Sequence, residues 1–194
     1  MSLRLTTGFC LGLTLQSPAS ATRPTAGRVR AAVWNSLQSS IIGARVLDVF
    51  AGSGAVGIEA LSRGARAATF VEQDREALRS LKINLEAVSS RAKKQAIAIE
   101  TLVLNRSAEL SLPTCAEASF DILWLDPPYA LVSTLVPRLA PELWRVGAAE
   151  SQLVVESAAA DMDGLQSLGS GWELSRQKVY GKIGVSFYQR RSPE

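Results

Sequence analysis

The glycine-rich segment at residues 51–57 constrains the fold of this chain more than any other feature of its sequence. It reads AGSGAVG, so that Gly52, Gly54 and Gly57 satisfy the pattern G-x-G-x-x-G. The apolar run RVLDVF at 45–50 precedes it and predicts a strand buried on both faces, and a helix is predicted over 55–62. A strand, a glycine turn and a helix in this order are typical of ligand-binding crossovers in parallel α/β sheets.

Strand-like and helix-like segments alternate along the rest of the chain. Further strands are predicted at 67–72, 100–104, 120–125 and 152–156, and helices at 28–38, 75–88 and 131–139. Two last strands, 173–180 and 183–189, flank Gly181 without a helix between them and predict an antiparallel hairpin. The alternation predicts an α/β fold with a doubly wound, mainly parallel sheet that ends in an antiparallel pair.

The first 22 residues predict a small β-hairpin and a linker. Threonines alternate with leucines around Gly8 and Gly12, which favours two short strands. The same stretch has the outline of a secretory signal peptide, but its threonines and glycines make a poor apolar core. We therefore expect a hairpin and linker over 1–22 and one further domain over 23–194. No run of about 18 apolar residues occurs, so we expect a cytoplasmic protein without a transmembrane helix.

The absence of histidine limits the chemistry that this chain can perform. Among its 194 residues are no histidine and only two cysteines, Cys10 and Cys115. Ser-His-Asp and Cys-His nucleophile systems, imidazole metal sites and zinc sites built from cysteines are therefore excluded. We expect no metal centre, and a reaction carried by carboxylates, hydroxyls, backbone groups or a cofactor.

Charge is distributed unevenly along the chain, whose net charge is +3. Residues 1–47 hold five arginines and no acid, and residues 172–194 hold five basic and two acidic residues. A basic front and a basic tail around an acidic middle suggest that a polyanion approaches one side of the protein. Exposed arginines that only keep a surface soluble account for the same pattern.

Two acidic residues near the glycine loop are compatible with two different ligands. Glu72 ends a predicted strand and is placed to bind ribose hydroxyls, as in NAD-dependent oxidoreductases. Asp48, two residues before Phe50, is placed to reach the charged amino-acid part of S-adenosylmethionine, which NAD lacks. NAD also needs a helix N-terminus for its pyrophosphate, whereas S-adenosylmethionine has no phosphate. The carboxylates favour S-adenosylmethionine, with an NAD-type oxidoreductase as the alternative.

The segment FDILWLDPPYA ends a predicted strand with Asp126-Pro127-Pro128-Tyr129. Open α/β sheets bind ligands at the carboxyl ends of their strands. The two prolines remove N–H donors and leave carbonyl acceptors beside the Asp126 carboxylate, which suits the binding of an amino group. Tyr129 offers a ring on which a base can stack, worth about 1–3 kcal/mol. The segment therefore predicts methyl transfer to an exocyclic amine, without a covalent nucleophile.

Four segments in this order resemble the bacterial ribosomal RNA small-subunit methyltransferase D family. They are RPTAGRVR (23–30), LDVFAGSGAVGIEALSRGA (47–65), FVEQDREAL (70–78) and LDPPYA (125–130), and the ending KVYGKIGVSFYQRR (178–191) is similar too. The resemblance implies a class I S-adenosylmethionine-dependent methyltransferase that modifies a guanine N2 amine in small-subunit (16S) ribosomal RNA. The implied substrate is this RNA or a 30S assembly intermediate. No coiled-coil heptad or extended apolar face in the sequence demands a dimer, so we expect a monomer.

The resemblance also implies a role for individual residues. Cofactor contacts are implied for Asp48, Phe50, Gly52, Gly54, Glu72, Gln73, Ser107 and Ala108, an amine site for Asp126, Pro127, Pro128 and Tyr129, and RNA contacts for Arg23, Thr25, Arg28 and Arg30. The chain departs from the family pattern at Gly27 and Ala31, where acids are usual, and in its hairpin, which has no basic residue over 8–15. Methylation of adenine N6 in DNA or of a protein amide, and RNA binding without catalysis, stay open as alternatives.

Overall fold

A computed structural model describes residues 3–18, 26–169 and 171–191 of the chain. Arg23 and Thr25, two of the predicted RNA contacts, lie outside these residues. Contacts divide the chain into two units, Met1–Arg106 and Ser107–Glu194. The predicted α/β class is confirmed, with a mainly parallel sheet, an antiparallel C-terminal hairpin and a small N-terminal hairpin. The boundary expected between residues 22 and 23 stays a prediction.

The described residues of the first unit form a hairpin, four helices and three parallel strands. Its elements are β1 (Leu3–Arg4), β2 (Thr14–Leu15), α1 (Ala26–Ser36), α2 (Gln38–Ile41), β3 (Arg45–Val49), α3 (Ala55–Ser62), β4 (Ala67–Val71), α4 (Arg75–Lys94) and β5 (Glu100–Leu104). The parallel strands lie in the order β5-β4-β3, and α3 and α4 provide the crossovers between them. The carboxyl ends of these strands consequently share one edge, where the glycine loop lies.

Helix α4 begins as predicted and ends one and a half turns later. The Asp74 carboxylate caps its first turn by accepting the N–H groups of Glu76 and Ala77, at 3.0 and 2.8 Å. The prediction ended this helix at Val88, six residues before the end that the structure shows. Buried Ala92 and three basic residues in the last turn, which favour a helix C-terminus, extend it to Lys94.

The N-terminal hairpin packs on α3 and α4. Leu5, Cys10 and Leu15 are buried in one core with residues of both helices, and burial raises the pKa of the Cys10 thiol. The N–H of Phe9 donates to the carbonyl of Ser62 at 2.9 Å. The backbone approaches so closely here that a Cβ at Gly8 would overlap the Ser62 carbonyl oxygen. The hairpin is therefore part of the packed core of this unit.

In the second unit, residues 107–169 and 171–191 form two α-helices and four strands. Its elements are α5 (Ala108–Ser111), β6 (Phe120–Leu125), α6 (Val132–Val146), β7 (Gly147–Ala158), β8 (Trp172–Tyr180) and β9 (Ile183–Arg190), with 3₁₀ turns at Leu112–Thr114, Tyr129–Leu131 and Ala159–Leu165. The strands lie in the order β6-β7-β9-β8, and only the β6–β7 pair of this unit is parallel.

Helix α6 is longer than the predicted segment 131–139. Pro137 and Pro141 lie inside it, although proline removes a helical hydrogen bond. Its apolar face is nevertheless buried as far as Leu143 and Val146, and this burial carries the helix through both prolines. Strand β7 likewise exceeds the predicted 152–156. Among the described residues, no helix is long and apolar enough to cross a membrane.

Candidate active site

The glycine loop turns sharply after β3 through three backbone positions of positive φ. Phe50, Gly52 and Gly54 have φ values of 66°, 56° and 80°. Glycine adopts this conformation readily, whereas an aromatic residue rarely does. Strained backbone of this kind is concentrated at functional sites, which marks the loop as more than a connection.

The glycines of the loop differ in what surrounds them. A Cβ at Gly54 would overlap Leu81 of α4, and a Cβ at Gly57 would lie 2.5 Å from the Phe70 ring. These two positions need glycine for close helix–strand packing. A Cβ at Gly52 would meet no atom of the described residues within 4 Å. Gly52 therefore leaves open space beside the backbone, as a bound ligand requires.

The Glu72 side chain joins the glycine loop to the loop after β4. Its Oε2 accepts the N–H of Gly52 at 2.8 Å, and its Oε1 accepts the N–H groups of Gln73 and Asp74, both at 2.7 Å. A carboxylate oxygen has two lone pairs, so Oε2 keeps capacity for a hydroxyl donor. Gln73, also predicted as a cofactor contact, is exposed beside it.

Asp48 is buried in β3, with 1% of its surface exposed. Its Oδ2 accepts the N–H of Gly57 at 2.9 Å, in the first turn of α3. The positive end of the helix dipole stabilises a carboxylate at this position. Asp48 thus holds the glycine loop and the start of α3 against the strand end.

Asn84 of α4 connects the loop to the N-terminal hairpin, a link that the sequence analysis did not predict. Its Nδ2 donates to the carbonyls of Ser53 and Gln16, both at 2.9 Å, and its Oδ1 accepts the Gln16 N–H at 2.8 Å. Asn84 is 2% exposed. An asparagine within the apolar face of a predicted helix was the available signal, because a buried amide requires partners.

The second unit carries the remaining predicted cofactor and amine contacts. Ser107 lies at the start of the short helix α5 and is half-buried, and Ala108 is buried. Asp126 follows the last residue of β6 and is half-buried, which places its carboxylate at the carboxyl end of that strand.

The prolines after Asp126 shape a rigid turn. Pro127 is buried and Pro128 is exposed, while the Tyr129 side chain is half-buried. The Pro128 carbonyl accepts the N–H of Leu131 at 2.8 Å, and a carbonyl oxygen can accept a second hydrogen bond. The turn therefore presents a carboxylate, a carbonyl and an aromatic side chain within four consecutive residues.

The two predicted RNA-contact arginines of α1 occupy different environments. Arg28 is exposed, whereas Arg30 is 3% exposed. The Arg30 guanidinium forms an ion pair with Glu59 of α3 and presents no charge to a polyanion in this arrangement. A glutamate inside the apolar helix segment GIEALS was the signal for a buried partner, and the sequence analysis missed it.

Glu59 is the centre of a buried polar network. Besides Arg30, its carboxylate accepts hydrogen bonds from Thr6 Oγ1 at 2.7 Å and Arg63 Nη2 at 2.9 Å. Arg63 also donates to Asn35 of α1 at 2.8 Å. The network joins the N-terminal hairpin, α1 and α3. In the part of the chain that the structure describes, no group of three His, Cys, Asp or Glu side chains could hold a metal ion.

Comparisons with known proteins show the family to which this chain is related. The family model described as conserved hypothetical protein 95 matches residues 3–189. Ribosomal RNA small subunit methyltransferase D of Escherichia coli K12 is 35% identical over 193 residues, covering 98% of this chain and 91% of that protein. The protein of the same name from Haemophilus influenzae is 30% identical, covering 86% and 82%.

A solved structure shows the same fold over nearly the whole chain. The Escherichia coli protein yhhF superposes with a TM-score of 0.81 and 33% identity, covering 98% of each chain. This chain belongs to the family of the ribosomal RNA small subunit methyltransferase D proteins.

Proposed function

We propose that this methyltransferase transfers a methyl group from S-adenosylmethionine to the N2 amine of a guanine in small-subunit ribosomal RNA. The observation that carries the proposal is the Asp126–Tyr129 turn at the carboxyl end of β6, in a chain whose relatives are named as ribosomal RNA methyltransferases. The turn groups hydrogen-bond acceptors with an aromatic side chain, and an exocyclic amine on a planar base needs both.

The first unit has the features that S-adenosylmethionine requires. Open space beside Gly52 admits a ligand close to the backbone, and Glu72 Oε2 keeps capacity for a ribose hydroxyl. Asp48 and Glu72 place negative charge at two strand ends, which suits a cationic ligand. The proposal also assigns cofactor contacts to Phe50, Gly54, Gln73, Ser107 and Ala108. When bound, S-adenosylmethionine supplies an electrophilic methyl group on a sulfonium.

The second unit supplies the residues for the amine. The Asp126 carboxylate and a proline carbonyl accept the N–H groups of the base, which orients the nitrogen lone pair and keeps electron density on it. Tyr129 stacks on the base after the base leaves its helix, and an extruded base is easiest to take from unpaired RNA. These residues act by positioning, and no covalent nucleophile or imidazole is needed.

We assign the RNA contacts to residues before β3. Arg28, which is exposed on α1, binds a phosphate in this proposal, and Arg23 and Thr25 are assigned the same function. Arg30 instead fixes α1 through Glu59, so its contribution is to the position of Arg28. Segment 8–15 contains no lysine or arginine, so the hairpin offers fewer phosphate contacts, and a lower affinity for RNA, than a basic hairpin would.

A methyl-transfer assay tests the proposal. The purified chain is incubated with labelled S-adenosylmethionine and either ribosomal RNA or small subunits from cells that lack the gene, and the nucleosides are identified by mass spectrometry. We expect N2-methylguanosine at one site. Methyl label on adenine N6 of DNA, or on protein, would assign the chain to another target. Binding of NAD without binding of S-adenosylhomocysteine would contradict the proposed cofactor.

A variant tests the role of the amine site. Asp126→Ala should abolish methyl transfer while binding of S-adenosylhomocysteine, measured by calorimetry, stays close to that of the wild type. Asp163→Ala, at an exposed carboxylate of the Ala159–Leu165 turn, is the matched control and should keep full activity. Undiminished turnover of Asp126→Ala would refute the assigned role.

A further inference from the structure

The basic residues of the C-terminal hairpin have no role in the proposed function, although the sequence shows an excess of positive charge there. Arg176 and Lys178 are exposed on β8, and Lys182 is exposed in the turn between β8 and β9. Glu173, an exposed acid of the same strand, is paired with Arg191 at 3.7 Å. The hairpin therefore carries a local positive charge on its outer strand.

The strand register places Lys178 in line with Asp126. Leu125, the last residue of β6, aligns through β7 and β9 with Gln177 of β8. Asp126, directly after β6, and Lys178, directly after Gln177, each lie one position further toward the carboxyl ends of these two strands, which run in the same direction. Three strand spacings of about 4.8 Å separate them, so they lie about 14 Å apart along the same edge.

Lys182 lies beyond this row, at the same edge. Tyr180 ends β8 opposite Ile183, which itself pairs with the last residue of β7, Ala158. The carbonyl of Lys182 accepts the N–H of Ala159 at 3.0 Å, which fixes the turn next to the end of β7. Both lysines thus lie on the side of this unit where the amine site lies.

Two exposed acids of the Ala159–Leu165 turn lie on the other face of the sheet from Lys178. Gln177 donates to Ser186 Oγ and to the Met162 carbonyl, so its side chain faces the Ala159–Leu165 turn, which carries Asp161 and Asp163. Side chains alternate along a strand, so Lys178 faces away from this turn.

Lys178 shares its face with the Arg176 guanidinium, which lies 4.2 Å from the centroid of the Phe187 ring. Glu156, two strands away in the Lys178 row, is 6% exposed. Among the described residues, no carboxylate forms an ion pair with Lys178 or Lys182.

We infer that Lys178 and Lys182, the C-terminal lysine pair, bind backbone phosphates of the substrate RNA beside the nucleotide held at Asp126; this inference rests on the proposed function. A stacked strand advances about 3.4 Å per nucleotide, so a separation of about 14 Å corresponds to about four nucleotides. Contacts to phosphates fix the register of a nucleic acid without reading its sequence. The lysine pair supplies a second set of phosphate contacts to the RNA, in the unit that carries the amine site.

An edge strand offers a different use for lysines, because charged side chains prevent edge-to-edge pairing with another chain. β8 is such a strand, being the last in the order β6-β7-β9-β8. The two roles predict different losses when the charges of the two lysines are removed. An edge-protecting pair keeps the protein monodisperse, whereas a phosphate-binding pair sets the affinity for RNA and its dependence on salt.

The test compares Lys178→Gln/Lys182→Gln with Lys93→Gln/Lys94→Gln. The control removes two exposed lysines from the last turn of α4, which leads to the amino end of β5. RNA affinity is measured by filter binding over a range of salt concentrations with a small-subunit ribosomal RNA fragment, and KM and kcat are measured in the methyl-transfer assay.

We expect the Lys178/Lys182 variant to raise the Kd and KM for RNA about tenfold and to reduce the salt slope by about 1.4–1.8. Turnover at saturating RNA should change less than KM, and Lys178→Arg/Lys182→Arg should restore affinity. The inference is overturned if the Lys178/Lys182 variant binds RNA as tightly as the wild type or the control does. It is also overturned if the only change in this variant is self-association. A wild-type protein that transfers no methyl group to RNA instead refutes the proposed function.

Discussion

The Nε of Arg30 lies 2.6 Å from the Oε2 of Glu59, and both side chains are almost completely buried. A charged pair removed from water is stable only when its remaining hydrogen-bonding groups are satisfied. Thr6 and Arg63 complete the shell of Glu59, and an Arg30 Nη2 donates to the Arg4 carbonyl. The pair therefore fixes the hairpin and α1 to α3.

Removal of Glu59 should destabilise the protein severely, because it leaves two buried guanidinium groups without their acid. We expect Glu59→Ala to lower the free energy of unfolding by about 3–5 kcal/mol, measured by urea denaturation. Glu142→Ala breaks the half-exposed pair between Glu142 and Arg145 of α6 and should cost about 0–1 kcal/mol. Equal losses in the two variants would contradict a special role for the buried network.

Stability should fall in acid through the same group. Burial raises the pKa of the Glu59 carboxyl, but Arg30 and hydrogen bonds from Arg30, Thr6 and Arg63 outweigh burial and hold the pKa below its ordinary value of 4.5. A lowered pKa in the folded state stabilises the protein above the ordinary pKa, and this contribution is lost as pH falls through the folded value. Urea denaturation at a series of pH values should show wild-type stability decreasing below about pH 4.5 more steeply than that of Glu59→Gln, whose side chain does not titrate.

The two arginines of α1 should respond differently to neutralisation. Arg28→Gln should weaken RNA binding and reduce its salt slope by about 1, with no change in melting temperature, because Arg28 is exposed. Arg30→Gln should lower the melting temperature, since Glu59 loses its partner. Filter binding and thermal melting of both variants check this division. A stable Arg30→Gln protein with impaired RNA binding would place Arg30 at the RNA after all.

The open space at Gly52 should be required for the cofactor and not for folding. Gly52→Ala should reduce affinity for S-adenosylhomocysteine at least tenfold, while the cost in stability stays at about 1 kcal/mol for the positive φ. Gly43→Ala is the matched control, since Gly43 has a φ of 73° and equally open surroundings outside the glycine loop. Calorimetry and urea denaturation separate the two effects, and normal cofactor binding by Gly52→Ala would remove Gly52 from the site.

The alternation of strands and helices and the position of the glycine loop could be predicted, because both depend on local patterns. Apolar runs identify buried strands, and glycines mark the turn. The environment of Arg30 could not be predicted in the same way. Its partner Glu59 lies 29 positions away along the chain. The local sequence RVR therefore indicates an exposed basic surface and gives no sign of the buried ion pair.

The ends of long elements were the other point of difference. Pro137 and Pro141 indicate a break by local rules, yet tertiary burial of the apolar face of α6 overrides them. Asn84 contacts both the hairpin and the glycine loop, because the two segments meet at α4 in the folded protein. The sequence of either segment alone does not indicate this contact.

The docked hairpin also affects how the chain folds during synthesis. The Phe9 carbonyl accepts a hydrogen bond from Gln95, and the Leu11 carbonyl accepts one from Arg91, across 86 and 80 positions. At about 5–20 residues per second, a ribosome takes about 4–17 s to add the intervening chain. Leu5 and Leu15 lack their native core contacts for that time. The N-terminal hairpin is therefore synthesised early but docks late, and a chaperone can bind it in the interval.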